Sequence, residues 1–145
     1  MVEGRRFLVV DDNREFARDL CELLALEGSQ GTIAETAEQA LLWLERESFH
    51  ALFTDLRLPG QSGVDLIEEL KRRGMSIPVV LMTAYADDDV LRRAESAGAV
   101  DVLSKPIDID QWLALARRFM RVRSSRPSVP PELESAPGDG TTRQQ

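Results

Sequence analysis

The stretch "FLVVDDN", Phe7 to Asn13, runs four apolar residues straight into two adjacent aspartates. The apolar half reads as a strand buried on both faces, which suits a parallel sheet covered by helices on each side. The acidic half is costly in that setting, because two neighbouring carboxylates repel each other and lose water. Solvent or a cation has to compensate them.

Outward from this stretch the same pattern recurs. Short apolar runs fall at "FLVV" (7–10), "GTIA" (31–34), "ALFT" (51–54), "PVVLMT" (78–83) and "DVLS" (101–104). Segments with three-to-four spacing separate them: Phe16, Leu20, Leu23 and Leu24; Ala37, Leu41 and Leu44; Leu66, Ile67 and Leu70; Val90, Leu91 and Ala94. A fifth such segment carries Trp112, Leu115, Ala116 and Phe119. Strand and helix therefore alternate five times, which predicts an α/β fold with a doubly wound parallel sheet. Thr36 with Gln39 forms a capping-box pattern, and Gly28, Gly74 and Gly98 stand where helices should stop. Asp87, Asp88 and Asp89 fall in the first turn of the fourth helix, whose dipole favours them there as a capped, solvated start.

The bulk numbers bound the function. A chain of 145 residues with 43% hydrophobic and 30% charged content fits one globular domain. A net charge of −7 and a pI near 4.8 argue against direct binding of nucleic acid, which rests on Lys and Arg. The single cysteine, Cys21, has no internal disulfide partner and reads as a small apolar residue buried on a helix. His50, the only histidine, reads as an ordinary loop or strand-edge residue. Asp11 cuts the first apolar run short of a signal-peptide core, and Ile77 to Met82 is too short to span a bilayer. No membrane association is expected, and a cytoplasmic location is the default. After Arg121 the composition turns to Pro and small polar residues. Residues 4–121 are therefore expected to form the domain, and 122–145 a disordered tail or truncated linker.

In a parallel sheet of this kind ligands collect beyond the carboxyl ends of the strands. The first strand ends at Asp11 and Asp12, the third at Asp55, the fourth at Thr83 and the fifth near Lys105. Each residue alone has an ordinary explanation as a turn, cap or strand residue. Five of them at one edge do not. Three carboxylates without His or Cys suit a hard cation, Mg²⁺ before Ca²⁺ or Mn²⁺. Lys105 and Thr83 add an ammonium and a hydroxyl donor, which equips the edge to stabilise phosphoryl transfer to a carboxylate.

The motifs "VVDDN", "TDLRLPGQSG", "LMTA" and "SKP", in this order, resemble the response-regulator receiver domain, the CheY-like family of two-component signalling. The resemblance covers about residues 5–121. It implies a flavodoxin-like (βα)5 sheet of order 2-1-3-4-5 and phosphorylation of Asp55 by a sensor histidine kinase or a histidine phosphotransfer protein. It further implies Mg²⁺ held directly by Asp12, Asp55 and the backbone carbonyl of Arg57, with Asp11 acting through water. Lys105 would pair with the phosphoryl group, Thr83 would move to bond it, and the Lys105–Pro106 bond would be cis. The readout face for an unidentified output partner would be the fourth helix, fifth strand and fifth helix.

The chain departs from the family at Val102, where many relatives carry Tyr or Phe, so the aromatic part of the switch is absent or replaced. Tyr85 and Arg57, each two residues past a site residue, are expected to shield the aspartyl phosphate from water. Leu113 and Met120 add apolar surface to the fifth helix beyond one stripe, which favours a partner surface or a homodimer. Two other classes fare worse. A haloacid-dehalogenase-type phosphatase, an enzyme hydrolysing an aspartyl phosphate, wants a second Asp where this chain has Arg57. A flavodoxin-like or nucleotide-binding module would place phosphate at "DDNREF", which is acidic and lacks glycine.

Overall fold

Strand residues of this chain alternate between two separate cores, and that alternation dictates the layering. A computed structural model describes residues 4–121. Its elements are β1 (Arg5–Val10), α1 (Arg14–Leu26), β2 (Ser29–Ala34), α2 (Ala37–Arg46), β3 (Ala51–Asp55), α3 (Gly63–Arg72), β4 (Val79–Thr83), α4 (Asp88–Ala97), β5 (Asp101–Ser104) and α5 (Ile109–Met120). The five strands are parallel, in the order β2-β1-β3-β4-β5. The expectation for residues 122–145 lies outside the described residues.

Period-two alternation sends Phe7, Val9, Phe53, Val80, Met82 and Leu103 to one face, where α1 and α5 cover them. Leu8, Val10, Leu52, Val79 and Leu81 go to the other face, under α2, α3 and α4. Phe53 lies at the centre of the first core, with ring centroids 5.1 Å from Trp112, 6.0 Å from Phe7 and 6.2 Å from Phe119. Truncating such a residue to alanine typically costs about 3–5 kcal/mol. Leu113 and Met120 are half-buried against this same core, so the surplus apolar surface of α5 is smaller than its sequence suggests.

Caps fix where each helix begins. Asn13, Asp87 and Asp108 each accept a hydrogen bond from the backbone N–H three residues on. Asp87 is thus the cap itself, and Asp88 and Asp89 alone occupy the first turn of α4. Thr36 accepts from the Gln39 N–H at 3.0 Å, but the Gln39 carboxamide accepts from Glu35 rather than Thr36. The reciprocal box instead occurs at α3, between Ser62 and Asp65. Gly28, Gly74 and Gly98 follow helix ends with positive φ, as a left-handed stop requires.

Cys21 and His50 keep structural roles. Cys21 is half-buried on α1 against Gly31 of β2, where an added Cβ would meet its Sγ at 2.5 Å. Burial pushes the Cys21 thiol up to about 11, so it stays protonated and inert. His50 is buried at the entrance to β3 and accepts a hydrogen bond at Nδ1 from the Arg6 N–H, at 3.2 Å.

Candidate functional site

The crossover from β1 runs to β2 on one side and the crossover from β3 runs to β4 on the other, so a crevice opens between the C-terminal ends of β1 and β3. Asp11 and Asp12 follow β1 there, and Asp55 ends β3. Carboxylate oxygens of all three lie within 4.8 Å of one another. β4 and β5 continue the edge with Thr83 and, just past Ser104, Lys105.

The three carboxylates have unequal surroundings. Asp11 is only 1% exposed, and both its oxygens are engaged: Oδ2 by Lys105 Nζ at 2.8 Å and Oδ1 by the Asn13 N–H at 2.9 Å. Asp12 is exposed. Asp55 lies between, 3.6 Å from Lys105 Nζ. Burial and then the Asp11 charge push the Asp55 carboxyl above the usual carboxylate range. Lys105 and hydrogen bonds from the Leu56 and Arg57 backbone N–H groups pull the other way. Crowded, partly buried oxygens of this kind form a donor set that a small hard divalent ion satisfies, and no imidazole or thiolate belongs to the cluster.

Two local features hold Asp55 in place. The loop after β3 folds back on itself through a bridge between Arg57 and Ser62, and the Gly63 N–H donates to the Leu56 carbonyl at 2.7 Å. Gly63, the first residue of α3, packs against the Asp55 backbone so closely that a Cβ would lie 2.4 Å from the Asp55 carbonyl oxygen.

Thr83 is fully buried, and its Oγ1 accepts from the Tyr85 N–H at 3.0 Å, tying the hydroxyl to the β4–α4 loop. The Thr83 carbonyl accepts from the Lys105 N–H at 2.8 Å, and the Lys105–Pro106 bond is cis. Val102 is half-buried on the face covered by α4. The Arg57 guanidinium lies 3.9 Å over the Tyr85 ring. This pair lines an open groove of about 610 Å³ together with Gly60, Ser62, Asp87 and Arg93. That the two side chains would stack on each other was not readable from their spacing. Nor was Phe16, an apolar stripe residue of α1, whose ring lies 4.6 Å from Lys105 Nζ.

Comparison with known proteins gives the family. Residues 7–117 match the family described as the response regulator receiver domain. A response regulator receiver protein of Anaeromyxobacter is 40% identical over 111 residues, covering 77% of this chain and 47% of that protein. The DNA-binding transcriptional regulator NtrC of Salmonella typhimurium is 37% identical over 110 residues, covering 76% of this chain and 24% of that protein. The chain thus spans less than half the length of these relatives. A response regulator receiver protein from Pseudomonas putida superposes with a TM-score of 0.75 at 29% identity, covering 81% of this chain and 99% of that one. With the family match running through every strand and all five helices, the chain belongs to the response regulator receiver domain family of two-component systems.

Proposed function

We propose that Asp55 accepts a phosphoryl group from a sensor histidine kinase or a histidine phosphotransfer protein in the cytoplasm, and that the domain then switches a partner-binding face. The observation that carries this reading is the convergence of Asp11, Asp12 and Asp55 around Lys105. An Asp55 oxygen attacks the phosphorus, the phosphohistidine N–P bond breaks, and a mixed acyl phosphate remains on Asp55. Lys105 Nζ, 3.6 Å from Asp55, is placed to take one phosphoryl oxygen. The exposed Asp12, Asp55 and the backbone carbonyl of Arg57 would hold Mg²⁺, which when bound offsets charge on the transferring oxygens. Asp11, with both oxygens already engaged, suits an indirect role through water.

The new phosphoryl oxygens offer the Thr83 hydroxyl an acceptor. Thr83 then leaves its bond to the Tyr85 N–H, and the β4–α4 loop and α4 follow. Such couplings are typically worth about 1–3 kcal/mol. With Val102 in place of an aromatic, no ring flip at that position contributes to the readout on α4, β5 and α5. Arg57 stacked on Tyr85 screens the acyl phosphate from water. The output partner is a protein; the direct DNA binding named for the NtrC relative belongs to a protein about four times the matched length.

Intact mass after incubation with Mg²⁺ and acetyl phosphate tests the acceptor. The wild type gains one phosphoryl group, and Asp55→Asn gains none. An adduct that survives in Asp55→Asn overturns the assignment.

A further inference from the structure

We infer that Phe16 is a positioning residue that holds the Lys105 ammonium at the phosphoacceptor site, an inference that rests on the reading of Asp55 as acceptor. The Asn13 cap places Phe16 in the first turn of α1, and its half-buried ring faces the strand ends. Lys105 Nζ lies 4.6 Å from the ring centroid, inside the range where the negative face of an aromatic ring attracts a cation. The same ammonium is 2.8 Å from Asp11 and 3.6 Å from Asp55. Left to the two carboxylates, it would stay with the nearer and more buried one. A ring attracts without offering a lone pair and without demanding one donor direction. It therefore supports the ammonium while Nζ turns from Asp11 towards an oxygen on Asp55. A half-buried ring this close also takes up part of the space that water would otherwise occupy around the ammonium. Two apolar residues of similar bulk would fill the space equally well, but a ring alone can do this.

That difference separates the role from ordinary packing. Phe16→Leu and Phe16→Met keep apolar bulk and lose the ring; Phe16→Trp keeps a stronger ring and changes the bulk. Two readouts apply: affinity for beryllofluoride with Mg²⁺ by calorimetry, and the chemical shift of the Lys105 Cε protons in the metal-free protein. In the wild type and Phe16→Trp the ring current shifts those protons upfield, and beryllofluoride affinities agree within about two-fold. In Phe16→Leu and Phe16→Met the shift collapses and affinity falls by about 3–10-fold. Leu and Met variants equal to wild type in both readouts overturn the inference, as does a Trp variant as weak as the Leu variant. Failure of the wild type to bind beryllofluoride, or binding undiminished in Asp55→Asn, strikes the acceptor reading instead. The ring-current measurement needs no ligand and still judges Phe16.

Discussion

At the N-terminal edge of the sheet Arg6 pairs with Glu47 and lies 5.6 Å over the Phe49 ring, and His50 is buried beside Arg5. At the C-terminal edge Asp11, Asp12 and Asp55 crowd around Lys105. At the first edge the Arg6 charge meets an opposite charge from a neighbouring element, and Arg5 meets the His50 ring. The second gathers three carboxylates beside an ammonium that contacts two of them, which leaves a negative surplus. A fold gains nothing from such a surplus, so the comparison itself points to ligands at one edge and to architecture at the other.

The largest effect should come from removing the ion that the surplus implies. Chelating Mg²⁺ with EDTA is expected to suppress phosphoryl uptake from acetyl phosphate by about 10²-fold or more. Uptake unchanged under chelation, read by intact mass, would break the contrast between the edges. Next, Asp55→Asn should stabilise the metal-free protein by on the order of 1 kcal/mol in urea unfolding. The sign follows from the raised Asp55 pKa, since ionising this carboxyl costs more in the folded chain than in the unfolded one. A destabilised Asn variant would mean that the carboxylate is a structural partner after all.

A smaller effect is expected over the groove. Arg57→Ala and Tyr85→Ala should each shorten the half-life of the phosphorylated protein by about two- to five-fold. The double variant should be little worse than either single one, because the stacked pair acts as a unit. Additive losses would mean two independent screens, and unchanged half-lives would leave both side chains with no role there. The smallest effect belongs to the other edge. Burial, with Arg5 beside it, depresses the His50 pKa, so the unfolded chain binds the proton more readily. Stability is full above the unfolded value and should fall modestly between about pH 7 and pH 5. His50→Gln should flatten that slope in thermal melts followed across the same range.

Much of the fold was legible because strands covered on both faces are written as uninterrupted apolar runs. β5 matches its run, and β3 and β4 differ from theirs by one residue at an end. β1 and β2 begin two residues earlier than their apolar runs, at Arg5–Arg6 and Ser29–Gln30, which pair with each other. Those residues are held by backbone ladders at the sheet's margin, and hydrophobicity does not report a ladder. The site was legible for a different reason. Asp11, Asp12, Asp55, Thr83 and Lys105 each end or closely follow a readable strand, so strand order alone brings them to one edge. What escaped were contacts between residues with no shared strand end. Phe16 matches a core stripe whether it touches leucine or an ammonium, and the pairing of Arg57 with Tyr85 depends on how two loops fold. The Ser62–Asp65 box is hard to read in sequence because such boxes are most recognisable with Glu or Gln at the third place.

Gly63 bears on how this domain can be engineered. Helix propensity ranks alanine above glycine by about 1 kcal/mol, and a stabilisation effort guided by propensity would choose the start of α3 early. The added methyl would press on the Asp55 carbonyl and, at 2.8 Å, on Leu81 Cδ1. Because the closer of these contacts is with backbone, the clash outweighs the gain in propensity, and the variant should lose stability as well as phosphoryl uptake. Any library built on this scaffold should therefore hold position 63 fixed and look for its gains elsewhere.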